Sequence, residues 1–302
     1  MPTVRRRLLG LLPRFGLSVT NLGPGTALLS RNKNDRFTTL PFGEGAQLVV
    51  NKRRSAKEEL AFQKSAANYL GARHVAALLE HYGANCVLDV GANVGQYAKQ
   101  LRRHGYTGRI VSFEPVPGIV EKLRRAAAKD PNWWVYPHAL GSTETSTTMN
   151  VVSGSMSSLL GPSEFGNRRY KRFSKIESQE VSVRRLDNIL DEVLDGIDEP
   201  RPYLKLDTQG YDLEAFAGAG ERIREFVGMQ SEVALMQIYE GMPRMNEAIA
   251  AYEGAGFEIT GMFPVTREES TGRVLEFDCV LARADSLVTP PAAAPSAAFA
   301  TQ

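Results

Sequence analysis

Cys86-Val-Leu-Asp-Val-Gly-Ala-Asn-Val-Gly95 reads as a short apolar strand that runs into a glycine-bearing turn. An apolar run this short, interrupted only by Asp89, is the pattern of a strand covered on both faces. Gly91 and Gly95 permit a tight turn and let backbone come close to a ligand. The helix expected next, Tyr97 to His104, begins with free N–H groups that attract anionic groups.

The same alternation continues downstream. Arg109–Phe113 is a second strand, followed by a helix over 119–129, and Trp133–Tyr136 is a third strand. Tyr203–Leu206 is the next clear strand, followed by a helix over 213–226 and a strand over 229–235. A helix over 245–255 leads to Phe257–Thr260, and a turn at 270–273 leads to Val274–Leu281. Two strands without a helix between them predict an antiparallel pair. The fold class is therefore α/β and Rossmann-like: a doubly wound, mostly parallel seven-stranded sheet with one antiparallel closing strand.

Upstream, residues 55–82 show helical spacing, read as two helices divided after Gly71. Residues 1–54 form an N-terminal extension with turns at Gly23-Pro24-Gly25 and Pro41-Phe42-Gly43 and one short strand over 46–51. The main domain spans 55–284. Residues 285–302, rich in Ala and Pro, read as a disordered tail. Between 147 and 185 lie short polar, β-leaning pieces, with Val181-Ser-Val183 the clearest.

Composition sets limits but assigns no chemistry. The chain has 302 residues, 36 basic against 34 acidic, and a formal charge of +2. That balance gives no whole-molecule argument for nucleic acid, and none is expected as a partner. The two cysteines, Cys86 and Cys279, lack metal-ligand spacing and read as reduced core thiols, consistent with a cytoplasmic protein. No apolar run approaches the length of a membrane span. Arg5-Arg6-Arg7 and the short apolar run after it resemble the start of a signal peptide, but Pro13 and Arg14 interrupt it. The plain reading is a surface extension; a peripheral contact with an anionic membrane is the alternative. The oligomeric state is not legible.

Ligands of doubly wound sheets bind beyond the carboxyl ends of the strands. The dinucleotide spacing G-x-G-x-x-G is absent, and so is a P-loop lysine. Asp89 would be ill placed beside a pyrophosphate, yet it suits a ligand carrying an ammonium group. Glu114, at the end of the second strand and followed by Pro115, lies where an acid takes both ribose hydroxyls of an adenosine. Ala139 and Leu140, after His138, offer a small apolar border for an adenine ring. Adenosine with an amino-acid end describes S-adenosylmethionine. Gly91, Asn93, Gly95 and Tyr97 complete the expected cofactor site.

These blocks, in this order, resemble the FkbM family of methyltransferases. The similar segments are Asp89-Val-Gly-Ala-Asn-Val-Gly-Gln-Tyr97, Phe113-Glu-Pro-Val-Pro117, His138-Ala-Leu-Gly141, Ser157-Ser-Leu159, Val183-Arg-Arg-Leu-Asp187, Leu204-Lys-Leu-Asp-Thr-Gln-Gly-Tyr-Asp212 and Ala217-Gly-Ala219. The resemblance covers residues 55–283. It implies a class I methyltransferase fold and O-methylation of a sugar hydroxyl in a glycolipid, polysaccharide or glycosylated natural product. Asp212 departs from the family, where Glu is more usual, and its reach is one methylene shorter.

Methyl transfer from a sulfonium is an in-line displacement, so the protein chiefly aligns the reacting atoms. A hydroxyl acceptor must also lose its proton. Asp207, at the end of a strand adjacent to the first, is the expected orienting or deprotonating group, with His138 as a second candidate base. Ser157, Ser158 and Gln209 are expected against the acceptor. Asp207 and Glu232 are the pair that would hold a divalent metal; no close carboxylate cluster appears in the sequence, so a metal is not favoured. The stretch Arg168-Arg-Tyr-Lys-Arg172 puts an aromatic among cations and suits sugars or phosphates; a solvated loop is the alternative reading.

Three readings compete. A nicotinamide-dependent dehydrogenase would need the glycine spacing that is missing. A binding protein could keep the fold without turnover. A methyltransferase acting on a non-sugar acceptor is the third, although the Asn/Asp-Pro-Pro-aromatic block of many amine-methylating enzymes is absent.

Overall fold

A computed structural model describes residues 12–23, 26–31, 37–44 and 46–285. The expectations for the basic start (1–11), for the turn residues 24–25 and for most of the Ala/Pro tail (286–302) lie outside these residues. The chain divides after Phe62 into two units.

The first unit holds two antiparallel hairpins, β1 (Ser18–Gly23) with β2 (Thr26–Ser30) and β3 (Phe37–Pro41) with β4 (Gln47–Asn51). The sequence reading gave only β4. In β3 no residue is buried, and in β4 only Val50 is. A strand without a buried face leaves no period-two apolar signal. Helix α1 (Ala56–His81) then starts at a reciprocal cap: the Glu58 backbone N–H donates to Ser55 Oγ, and the Ser55 N–H donates to Glu58 Oε2.

α1 is one continuous helix, not two. Gly71 costs it about 1 kcal/mol relative to alanine, but a Cβ there would come within 3.2 Å of the Phe263 ring. Close packing on that ring, rather than a break, explains the glycine.

In the second unit, β5 (Cys86–Val90), α2 (Gln96–Arg103), β6 (Arg109–Phe113), α3 (Pro117–Ala127) and β7 (Trp133–Tyr136) follow the predicted alternation. A small sheet comes next, built from β8 (Ala139–Leu140), β9 (Thr145–Val151) and β10 (Glu177–Arg184) in the order β8-β10-β9, with α4 (Glu164–Arg169) between the last two strands. After α5 (Leu186–Leu194) come β11 (Pro202–Leu206), α6 (Asp212–Ala217), β12 (Gly228–Ala234), α7 (Met245–Gly254), β13 (Phe257–Arg267) and β14 (Val274–Arg283).

The seven-stranded sheet has the order β13-β14-β12-β11-β5-β6-β7. β14 is antiparallel to both its neighbours, and the other pairings are parallel. The expected architecture is present, with β14 inserted between β12 and β13. The single helix expected over 213–226 is instead α6 plus a 3-10 turn at Gly220–Glu225. The break has a packing cause. A Cβ on Gly218 would lie 2.3 Å from the Gly141 carbonyl oxygen, and Gly220 has φ +52°.

The central strands β5, β6, β11 and β12 bury both faces. Leu88, Val90, Val111, Phe113, Leu204 and Leu206 pack with α5 and α7 on one side; Val87, Ile110, Tyr203 and Val280 pack with α1, α2 and α3 on the other. Each fully buried side chain of this size contributes roughly 1.5–3 kcal/mol. Cys86 and Cys279 are buried, unpaired thiols, and burial pushes each up to about 12. Among the described residues no helix is long and apolar enough to cross a membrane.

Candidate active site

One register row of the apolar sheet is polar. Ser112 on β6 pairs with Asp89 on β5, Asp89 with Lys205 on β11, and Lys205 with Gln230 on β12. All four are buried, so each needs a partner. Trp133 Nε1 donates to Ser112 Oγ at 2.9 Å, and that hydroxyl donates to Asp89 Oδ2 at 3.4 Å. Lys205 Nζ lies 3.2 Å from Asp89 Oδ1 and 3.3 Å from Asp207 Oδ2. The Tyr97 hydroxyl donates to Gln230 Oε1 at 3.1 Å, while its ring lies 5.3 Å from the Lys205 ammonium. The two carboxylates hold Lys205 above its ordinary value in spite of its burial.

Above this row, beyond the ends of β5, β6 and β11, opens a cavity of about 580 Å³, a size ordinary for a small-molecule site. Gly91, Asn93 and Tyr97 line it on the β5 side, Glu114 and Pro115 on the β6 side, and His138, Ala139 and Leu140 beside them. Asp207 and Gln209 come from the loop after β11, and Ser157 from the segment after β9. These sequence-predicted residues are thus brought together.

Three others are not on the cavity wall. Asp89 is fully buried and its charge is answered by Lys205, so the structure places a protein ammonium where the sequence suggested a ligand's. Gly95 has φ +80°, and a Cβ there would strike the Trp133 ring at 2.6 Å; it serves packing. Ser158 is fully buried, donates from Oγ to the Gln209 carbonyl at 2.7 Å and accepts the Leu160 N–H. It holds the loop that carries Gln209.

The turn after β5 is held tightly. Gly91 has φ +77°, and a Cβ there would lie 2.0 Å from the Asp207 carbonyl oxygen. Gly91→Ala is therefore expected to destabilise the fold, by about 1–3 kcal/mol from backbone conformation alone and more from the clash. Urea unfolding checks this, and a midpoint equal to the wild type would contradict it. Asn93 takes up positive φ without being glycine, at 48°.

Glu114 accepts the Asn93 N–H at 2.9 Å and the Val116 N–H at 3.0 Å. Each oxygen keeps a lone pair for a further donor. Burial pushes this carboxyl up to about 7. Two cavity-lining residues also carry polar atoms that are shielded from solvent and have no protein partner, His138 Nδ1 and Thr208 Oγ1. Such groups call for a ligand or water partner. A spare carboxylate acceptor pair, apolar wall residues Leu140, Ile119 and Met149, and unanswered polar atoms fit an adenosine-bearing ligand. Burial, then the nearby Arg184, lowers the His138 imidazole.

The far end of the cavity is acidic. Gln209 Nε2 donates to Asp207 Oδ1 at 2.9 Å and to Glu232 Oε2 at 3.1 Å. Asp278 also lines the wall, opposite Glu232 in the β12–β14 register. Desolvation, then the Asp207 charge, holds Glu232 well above the usual carboxylate range, and the same causes push Glu276 up to about 7. Among the described residues no group of three or more His, Cys, Asp or Glu side chains is arranged to hold a metal ion. Asp212, the family departure, is buried and accepts the Thr208 and Gly210 N–H groups at 3.3 Å each; it closes the loop that presents Asp207 and Gln209. Lys205, Gln230 and Asp278 were missed from the sequence, although Lys205 is a lone polar residue within an apolar strand; Gln230 stands in a polar run with Ser231 and Glu232.

Comparison with known proteins shows the family. The methyltransferase FkbM domain matches residues 89–259, more than half of the chain. "Methyltransferase sdnD" of Sordaria araneosa is 26% identical over 200 residues, covering 58% of this chain and 74% of that protein. Among solved structures, an O-methyltransferase from Bacillus cereus in complex with S-adenosylhomocysteine has 13% identity and a TM-score of 0.40, covering 76% of this chain and 92% of its own. Aeropyrum pernix fibrillarin with bound S-adenosylmethionine has 13% identity and a TM-score of 0.40, covering 88% and 94%. On the family match, the chain belongs to the FkbM methyltransferase family and is an S-adenosylmethionine-dependent methyltransferase.

Proposed function

We propose that the chain methylates a sugar hydroxyl, on a glycolipid, polysaccharide or glycosylated natural product, and that Asp207 receives the hydroxyl proton. The observation that carries this reading is the Asp207 carboxylate, one-third exposed at the cavity and braced by Lys205 on one oxygen and Gln209 on the other. S-Adenosylmethionine, when bound, supplies a methyl group on a sulfonium and therefore an activated donor. Glu114 takes the ribose hydroxyls, Pro115, Ala139 and Leu140 border the base, and Asn93 shapes the turn. Gln209 fixes the Asp207 carboxylate so that its free lone pair can hold the acceptor O–H in line. Gln209, Tyr211, Gln230 and Asp278 give this end of the cavity a polar wall, which supports a polyhydroxylated acceptor.

Activity on panels of glycosylated lipids and free sugars, with labelled cofactor, tests the acceptor class. A methyl ether on a sugar is expected; a methylated amine, or turnover only on sugar-free acceptors, would overturn it.

The Glu114 role has a pH signature. With its carboxyl near 7, the cavity loses an acceptor as pH falls below that value. Affinity for S-adenosylhomocysteine is expected to rise between pH 6 and pH 8, and Glu114→Gln to flatten the rise while weakening binding at pH 8 by about tenfold or more. Calorimetry at several pH values checks both; equal, tight binding by wild type and variant would remove Glu114 from the ribose.

A further inference from the structure

A shallow, open surface depression adjoins the cavity and shares one of its walls. It is lined by Ser153, Gly154, Arg169, Tyr170, Lys171 and Arg172. Gly154 lines both, so the depression and the cavity adjoin at this loop. Asn93 Nδ2 donates to the Gly154 carbonyl at 3.3 Å from the cofactor side, and Arg172 Nη1 donates to the Ser153 carbonyl at 3.5 Å from the other. Gly154 has φ +98°, and a Cβ there would stand 2.8 Å from the Arg172 guanidinium.

The charge pattern of this pocket is lopsided. Arg168, just outside it, pairs with Glu164 at 3.1 Å. Among the described residues Arg169, Lys171 and Arg172 have no ion-pair partner. All three are exposed, so salt and water screen their mutual repulsion, and together they set up a positive local field that favours an anion. The acceptor end of the main cavity has the opposite character, with Asp207, Glu232 and Asp278, and would repel that same anion.

The basic segment is also fixed relative to Asp207. Tyr170 packs edge-on to Phe173 at 5.8 Å, and buried Phe173 packs edge-on to Tyr239 at 5.6 Å. The Tyr239 hydroxyl donates to Gln209 Oε1 at 2.9 Å, and Gln209 donates to Asp207. Contacts thus run unbroken from the cationic pocket to the carboxylate.

We infer that Arg169, Lys171 and Arg172, with Tyr170, form an oxyanion subsite that takes a phosphate or carboxylate carried by the acceptor while the acceptor's hydroxyl lies at Asp207. The anion fixes which hydroxyl is presented, because the acidic and basic ends accept only one orientation of such a molecule. This rests on the sugar reading only in making the anion part of the acceptor.

The test titrates S-adenosylhomocysteine-loaded protein with glucose 1-phosphate, glucuronate, glucose and a ten-nucleotide RNA. Wild type is expected to bind glucose 1-phosphate about tenfold or more tightly than glucose, with the preference weakening as salt rises. Arg169→Gln/Lys171→Gln should abolish the preference while keeping S-adenosylhomocysteine affinity, and Arg168→Gln should leave it unchanged. Glucuronate binding like glucose 1-phosphate supports a general oxyanion site; glucuronate binding like glucose supports one for phosphate. Equal binding of glucose and glucose 1-phosphate, or a preference that survives in the double variant, would overturn the subsite. RNA binding tighter than either sugar acid, lost in the double variant, would overturn it in favour of nucleic acid. Methylation of neutral sugars without an anion preference would sink the subsite and leave the sugar reading standing; oxyanion binding without sugar methylation would do the reverse.

Discussion

Lys205→Met is expected to cost about 3–5 kcal/mol of folding stability, the usual result of removing one partner from a buried ion pair. Asp89 has no exposure and sits between apolar strands, with the ammonium 3.2 Å away. Methionine fills much of the lysine volume, so the loss comes from the uncompensated charge rather than from a hole. Urea unfolding at pH 8 measures it. Adding Asp89→Asn to Lys205→Met should recover at least half of the loss, since the fully buried carboxylate that faced the ammonium is then gone. A Lys205→Met loss below about 1 kcal/mol, within the range of an exposed pair, would show that Asp89 does not depend on this lysine.

Asp207→Asn is expected to lower turnover by about 10²–10⁴-fold, the usual contribution of a positioned acid–base group. Asparagine keeps the shape and can still accept from Gln209, but it cannot take the acceptor proton. Affinity for S-adenosylhomocysteine should stay within about twofold, because a group acting only on the acceptor lowers turnover without weakening cofactor binding. Steady-state turnover and calorimetry on the same preparation separate the two effects. Unchanged turnover would remove Asp207 from the chemistry.

The centre of the sheet was legible in the sequence because β5 and β11 are buried on both faces and read as apolar runs bounded by turns, Cys86–Val90 and Tyr203–Leu206. The hairpin β1–β2 and strand β3 were not legible. In β3, Phe37–Pro41 buries nothing, and an unburied strand carries no apolar period. Asp89 shows a second limit. The sequence reveals an acid inside a strand, but not that sheet register sets Lys205 beside it. Register likewise sets Asp278 opposite Glu232, because β14 inserts next to β12; nothing local to either residue signals it. Glu114 and Asp207 were legible because a strand end in this architecture always faces the ligand crevice. Ser158 and Gly95 were read as ligand-facing from their place in motifs, whereas their neighbours make them supports for the loop of Gln209 and the ring of Trp133.

The most direct test of the account is a crystal structure of the chain with S-adenosylhomocysteine. It predicts the ribose hydroxyls on the Glu114 carboxylate, the base between Pro115 and Leu140, and the sulfur end turned toward Asp207. Ligand density outside the cavity beyond β5, β6 and β11, or an adenosine placed away from Glu114, would contradict it.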